Sequence, residues 1–530
     1  MRLRALKIEK SAAAGGLFDG AEIWFGRDDE SKKNEPLAPL CLIGPNGSGK
    51  SQFLQLIAEI FQAAWAAHAP QEERGSTNDE ALFELEYLIA PKGSDKSEIV
   101  RLTRTMKGKK PGPVQLILRN DAVIEPDAKE FGAYLPSMVI GYTSGDNETL
   151  SLPFLASRSG YAEAVRTSAL EQDGKLEVLD NRLMLIDYGT NLEVLFSNLM
   201  LGPEFVRSEL LNHVKLRDLA SCRCVVSLAH PAVRSSSRRA NSKRKGVQLT
   251  DELEEVIERL QRIATCWDLD EKNETYTFDF FVTPATREAF GHFWEDAFSL
   301  YRSLHKLALL NDLAIPKRAR ERLDKAVKER RFAARLPEPQ QEDLVFGFAE
   351  VRFWPEDGNT ESVDYVSLSG GEHQQALVLG ACAMVTNANA VFLLDEPESH
   401  FNPKWRVKFV KRLMDMTGSR QNQEVLLTTH APFVPSDMPR DQVMIFSRDP
   451  ETNNVWVVQP EVETFGATFD RILDACFDVR PPISKVSNNA IDELLASDDL
   501  EFVERGFQTL GASTEKALVA SHLRKLKAEG

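Results

Sequence analysis

The chain has 530 residues, 42% hydrophobic and 27% charged, enough for roughly two to four core-bearing units and too apolar for a mainly disordered polymer. Its 64 Lys and Arg against 80 Asp and Glu leave a formal charge of −16. That balance excludes indiscriminate coating of nucleic acid and confines any such contact to a local basic patch.

Residues 1–26 alternate apolar and polar around Leu3, Ala5, Ile8, Ile23 and Phe25, which predicts two strands. The short apolar run Leu40-Cys41-Leu42-Ile43 predicts a buried strand, and Phe53, Leu54, Leu56, Ile57 and Ile60 fit one face of a helix after it. Further strands are expected at 82–88, 98–102 and 114–118, the last two parted by the turn Lys107–Pro113, and at Met138–Tyr142. Residues 150–335 read mostly as helices, for example Leu249–Trp267 and Phe293–Asn311. Strands return at 344–348 and 351–353, helix and strand alternate from 360 to 445, and the last 80 residues look helical. Six cysteines without a C-x-x-C pair predict reduced thiols. The opening Met1–Ile8 lacks the apolar core of a signal peptide, and no run of about 18 uncharged apolar residues occurs. A cytoplasmic protein without a membrane span is the expectation.

Gly44-Pro45-Asn46-Gly47-Ser48-Gly49-Lys50-Ser51 fits G-x-x-x-x-G-K-[ST], with the required strand before it and helix after it. Glycines there let successive backbone N–H groups curl round phosphates, at the positive end of the following helix. Lys50 would reach the β- and γ-phosphates of ATP, and the Ser51 hydroxyl would ligate Mg²⁺. At average residue usage the pattern arises by chance in roughly one chain in a hundred of this length, so a nucleotide site is the reading.

A second half-site lies far downstream. Val391-Phe392-Leu393-Leu394 runs into Asp395 and Glu396, carboxylates suited to holding Mg²⁺ and polarising an attacking water. Upstream, Ser369, Gly370, Gly371 and Glu372 open a helix whose bare N–H groups offer another phosphate cradle. Val425-Leu426-Leu427-Thr428-Thr429 ends in His430, one strand after the Asp-Glu pair, a position that suits phosphate sensing.

In this order the motifs resemble an ABC-type ATPase head. The resemblance implies an α/β fold: a P-loop NTPase sheet plus an antiparallel β subdomain, with a large mainly helical insertion and a helical C-terminal tail. It matches Ser369, Gly370 and Gly371 to the signature loop, Asp395 to the Walker B aspartate and Glu396 to the catalytic glutamate. Ser399, His400, Phe401 and Asn402 match the D-loop, and His430 the switch histidine. It further implies ATP and Mg²⁺ as ligands and an ATP-dependent dimer in which each signature serine faces the opposite P-loop. Lys50 and Ser369 stand 319 positions apart, more than a compact transporter head uses. The wording Asp395–Trp405, Thr428–Phe433 and Tyr142–Glu148 is similar to the RecF/SMC/OLD branch, which includes restriction-associated and anti-phage ATPases. Implied boundaries are residues 1–148 for the first lobe of the head, 149–340 for the insertion with a basic loop at 234–246, 341–448 for the second lobe and 449–530 for the C-terminal region. The family's Q-loop glutamine has no match in Val139–Gly145, leaving Gln115 as the other candidate.

Arg234, Arg238, Arg239, Lys243, Arg244 and Lys245 lie in one stretch without an acid. Two readings fit: an arm that follows a phosphate backbone, or a solvated loop. Lys317–Arg335 mixes both signs at the spacing of a salt-bridged exposed helix. Cys222 and Cys224, with His213 and His230, lack ordinary zinc spacing. Asp268-Leu269-Asp270 reads as a helix-ending turn rather than part of a two-metal nuclease. The expected function is that of the ATPase subunit of a restriction or anti-phage system, governing a separate nuclease or effector. The alternatives are a RecF-like DNA-repair ATPase and a non-hydrolytic, ATP-stabilised scaffold.

Overall fold

The computed structural model describes all residues except 13, 27–38, 95, 146–147, 171–177, 187–189, 230–243, 245, 330–343, 359–360, 366–368, 418–421, 481 and 530. Among the described residues seven strands build a central sheet: β1 (Leu40–Ile43), β2 (Val139–Thr143), β3 (Leu183–Ile186), β4 (Val391–Asp395), β5 (Glu424–Thr428), β6 (Val443–Arg448) and β7 (Val455–Val458). Their spatial order is β3-β2-β4-β5-β1-β6-β7, parallel except for β7 against β6.

Parallel strands covered on both faces must be apolar throughout, which is why β1, β2, β4 and β5 are buried along their whole length. Side chains still alternate between two cores. Phe392 and Leu394 join Val425 and Leu427 beneath α2 (Asn191–Leu201) and α3 (Gly370–Met384). Val391, Leu393, Leu40 and Leu42 face α1 (Lys50–His68), packing with its Phe53, Leu56, Ile57 and Ile60. Each fully buried Leu or Phe contributes about 1.5–3 kcal/mol, so the strands that carry the motifs are the best anchored. A six-stranded antiparallel sheet, built from Glu22–Trp24, Arg2–Lys10, Leu82–Ile89, Glu98–Arg104, Gln115–Leu118 and Val123–Ile124, adds Leu6, Leu85 and Leu102 to this second core.

The stretch 149–340 is less helical than its sequence suggests. β3 belongs to the central sheet, and Leu216–Ser227, Cys266–Asp270 and Thr275–Phe281 join Phe346–Pro355 and Val363–Asp364 in a five-stranded antiparallel sheet. Leu216–Ser227 buries Leu219, Cys222, Cys224 and Val226, and Thr275–Phe281 is a run of aromatic and β-branched residues that fits a pleated surface. Asp268-Leu269-Asp270 therefore lies on a strand, not on a helix-ending turn: the helix stops at Ile263, and Cys266–Asp270 pairs antiparallel with Thr275–Asp279. The expected helix Phe293–Asn311 is the helix Ala297–Leu309, which begins where the Asp296 carboxylate accepts from the Ser299 N–H and follows a separate helix, Pro284–Phe293. Lys317–Lys328 is helical. After β7, helices Phe469–Phe477, Lys485–Ala496, Leu500–Thr509 and Thr514–Glu529 follow, the last three closing a small core of Ile491, Leu494, Val503, Val519 and Leu523. Among the described residues no helix is long and apolar enough to cross a membrane.

Candidate functional site

The glycine-rich loop leaves β1 through backbone that only glycine accepts easily. Gly44 sits at φ 142° and Gly49 at φ 98°. A Cβ on Gly44 would lie 2.2 Å from the Phe446 carbonyl oxygen of β6. Gly44→Ala is therefore expected to cost about 1–3 kcal/mol of stability and to displace the loop, read as a lower denaturation midpoint together with weakened ATP binding. Gly49 caps α1, so the helix's open N–H groups and positive end face the loop.

Lys50 is buried, and its Nζ donates to the Gly44 and Pro45 carbonyl oxygens at 3.0 and 3.1 Å. Burial pulls its pKa down to about 8, with the charges of Glu396 and Asp395 acting in the opposite direction. Ser48 Oγ is buried without a hydrogen-bond partner. An orphaned hydroxyl and an ammonium turned onto its own loop are what a loop shaped for phosphate oxygens presents.

The sheet order brings the distant motifs together. β5 lies between β1 and β4, so the ends of all three strands open on one place. Ser51 Oγ donates to Asp395 Oδ1 at 3.0 Å, and Thr428 Oγ1 donates to the same oxygen at 2.6 Å. Ser51 and Asp395 are hard oxygen donors, a set that suits Mg²⁺. Glu396 turns left-handed at φ 48°, its N–H donating to Thr428 Oγ1 at 2.9 Å. That turn aims its carboxylate at His430, whose Nε2 stands 3.0 Å from Glu396 Oε1. The His430 hydrogen bond holds the Glu396 carboxyl below the usual glutamate range against the opposing pull of partial burial, with the charges of His430 and Lys50 adding to it.

The other matched motifs frame this cluster. The Ser399 carbonyl accepts from Arg406 Nη2 at 2.6 Å, His400 Nε2 lies 3.1 Å from the Ser144 carbonyl, and Asn402 caps the turn Pro403–Arg406. Gly371 of α3 lets that segment approach, since a Cβ there would come within 2.7 Å of the His400 carbonyl. Ser369 is exposed, and its N–H and hydroxyl both donate to Glu372, at 2.7 and 2.8 Å. Among the hydrogen bonds of the described residues, none joins Ser369 to the P-loop of its own chain.

Two expectations are corrected. Gln115 is not the Q-loop glutamine: it stands on the antiparallel sheet bonded to Glu125, whereas the matching position follows β2, where Thr143 pairs with Asp395. Arg244 is not a phosphate contact, because its Nε donates to Glu254 Oε1 at 2.7 Å and its guanidinium lies 5.5 Å from the Tyr276 ring centre. Arg234, Arg238, Arg239, Lys243 and Lys245 lie outside the described residues. Sequence reasoning missed Thr428, Thr429, Glu398 and Arg448, the last donating to the Gly47 carbonyl at 3.3 Å. Two adjacent threonines closing a strand beside a strand that ends in Asp-Glu were the available signal.

Residues 226–437 match a family described as "AAA domain, putative AbiEii toxin, Type IV TA system". The matched stretch carries Ser369, Asp395, Glu396 and His430 but not the P-loop. Similar solved structures include an Smc head bound to the C-terminal winged-helix domain of ScpA, 10% identical, with 87% of this chain and 97% of that one covered and a TM-score of 0.28. Another is an Smc head domain with an extended coiled coil bound to the C-terminal domain of ScpA, from Pyrococcus furiosus, 11% identical, with 86% and 96% covered and a TM-score of 0.31. Over residues 226–437, less than half of its length, the chain is therefore similar to an AAA domain.

Proposed function

We propose that this protein hydrolyses ATP between two copies of itself and uses the resulting dimer to control a separate effector. The observation that carries the reading is the convergence of Lys50, Ser51, Asp395, Glu396 and His430 at one end of the sheet. Lys50 and the loop N–H groups would bind the β- and γ-phosphates, releasing the lysine from its own carbonyls. Mg²⁺, held by Ser51 and Asp395, would neutralise charge on the phosphate oxygens. Glu396 accepts the proton of the attacking water, and His430 fixes the direction of that carboxylate and senses the γ-phosphate.

An exposed Ser369 at the start of α3, bonded only locally, supports a second copy as the surface it serves. The matched family's description names a toxin of a toxin–antitoxin system, which accords with an anti-phage role and a dedicated partner. Commitment of Arg244 to Glu254 weakens the alternative of DNA repair, since it removes one cation from the basic stretch.

Sedimentation with Mg²⁺ and a non-hydrolysable ATP analogue, paired with steady-state hydrolysis, tests this reading. Wild-type protein is expected to double in mass on binding. Ser369→Arg is expected to bind nucleotide as a monomer and to lose about 10²–10³ in turnover, as when a transition-state donor is removed. A monomer that hydrolyses at the full rate overturns the dimer. Copurification from the native operon with and without ATP identifies the effector.

A further inference from the structure

Glu398 is a buried carboxylate that neither the nucleotide nor the metal reading uses. It lies two residues beyond Glu396 and is 2% exposed. One oxygen accepts from Thr429 Oγ1, and the other has no hydrogen-bond partner. A carboxylate taken out of water is costly unless it is bonded, so this threonine is its principal anchor.

Thr429 is fully buried and makes three bonds in three directions. Its N–H donates to the Leu42 carbonyl of β1 at 3.1 Å, its hydroxyl donates to Glu398, and the same oxygen accepts from the Ala431 N–H at 2.9 Å. His430 is the residue spanned by that last bond. Two cross-links therefore tie the turn after β4 to the turn after β5: Glu398 with Thr429, and Glu396 with His430 at 3.0 Å. Thr428 adds a third on the opposite side of the strand, to Asp395 and to the Glu396 N–H. Glu396 and His430 are both about one-third exposed, so the buried pair behind them is the rigid one.

We propose that Glu398 is a positioning residue for hydrolysis: through Thr429 it fixes the His430 turn, and so holds the imidazole against the Glu396 carboxylate. The proposal rests on the roles given above to Glu396 and His430. It also joins the two ends of the site, because Glu398 opens directly into Ser399 and His400, whose carbonyl abuts Gly371. Movement of that segment at a dimer contact is thereby transmitted to the glutamate–histidine pair.

The test is steady-state ATP hydrolysis and ATP binding by the full chain carrying Glu398→Ala, Glu398→Gln, Thr429→Val or Thr429→Ser. Glu398→Ala and Thr429→Val are expected to lower kcat about 10- to 100-fold, the effect of a misplacement of an ångström or so, while KM for ATP stays near its original value. Glu398→Gln keeps an acceptor and Thr429→Ser keeps the hydroxyl, and both are expected to retain most of kcat. In a Glu396→Gln background Glu398→Ala is expected to add little, because it acts through the residue already lost. Should Glu398→Ala fail to fold, the Thr429 pair carries the comparison. Unchanged kcat in Thr429→Val, equal losses in Thr429→Ser and Thr429→Val, or full additivity with Glu396→Gln overturns the inference. Absence of hydrolysis by the wild type strikes the proposed function instead.

Discussion

Glu396→Gln is expected to slow ATP hydrolysis about 10²- to 10⁴-fold while leaving ATP bound, so that the dimer accumulates. The substitution keeps the shape of the side chain and an oxygen that can meet His430 Nε2, now 3.0 Å from Glu396 Oε1. It removes the charge that, in the proposed function, accepts the proton of water. In the proposed function nucleotide binding falls to other groups, namely the loop backbone, Lys50 and the Ser51–Asp395 pair. Burial opposes ionisation of Glu396 only partly, and the His430 bond keeps the carboxyl ionised below the ordinary glutamate range. The sign follows: the base is in working form above that lowered value and is lost as the pH falls through it, so acid inactivation of the wild type sets in below the ordinary glutamate pKa. Single-turnover hydrolysis and sedimentation with ATP measure both arms. A variant that turns over at the wild-type rate removes Glu396 from the chemistry, and one that hydrolyses slowly but stays monomeric separates chemistry from pairing.

Much of this site is legible in the sequence because its parts carry their own physical marks. β1, β4 and β5 share runs of apolar residues since both faces are covered, and the polar residues at or just past their far ends, Asp395, Glu396 and His430, have no packing reason to be there. The glycines of the loop advertise backbone that other residues strain to adopt. What stayed hidden depends on neighbours distant in sequence. Thr428 and Thr429 look alike until β5 is placed beside β4, when one turns out to bind Asp395 and the other Glu398. Leu216–Ser227 escaped notice because its inward positions include Ala220, Cys222 and Cys224, small residues that mark a strand weakly. Arg244 looked like its basic neighbours until the fold supplied Glu254 and Tyr276. Gln115 failed for the converse reason: a residue type was sought without the strand end that gives it meaning.

Lys50→Ala is expected to weaken ATP binding by about 2–5 kcal/mol, roughly one and a half to three and a half orders of magnitude in affinity, because the β- and γ-phosphates lose a desolvated cation. The same lysine predicts how affinity depends on pH. In the nucleotide-free protein burial lowers its pKa from 10.5 to about 8, against the attraction of Glu396 and Asp395. A triphosphate adds negative charge beside Nζ and raises that value again. Binding above pH 8 must then draw a proton from solution, so affinity falls as pH rises past 8, by up to about tenfold per unit. Stability of the empty protein moves the other way. Its unfolded chain holds the lysine proton up to the ordinary value whereas the folded chain releases it near 8, so this group adds stability between those limits as pH rises. Opposite slopes separate weaker binding from alkaline unfolding. Titration calorimetry at pH 7 and pH 9, in buffers of different ionisation heat, measures the proton directly, and Lys50→Ala is expected to abolish its uptake. Equal affinity and no proton uptake at pH 9 in the wild type would place the lysine away from the phosphates, and with it the premise that the loop is a triphosphate cradle.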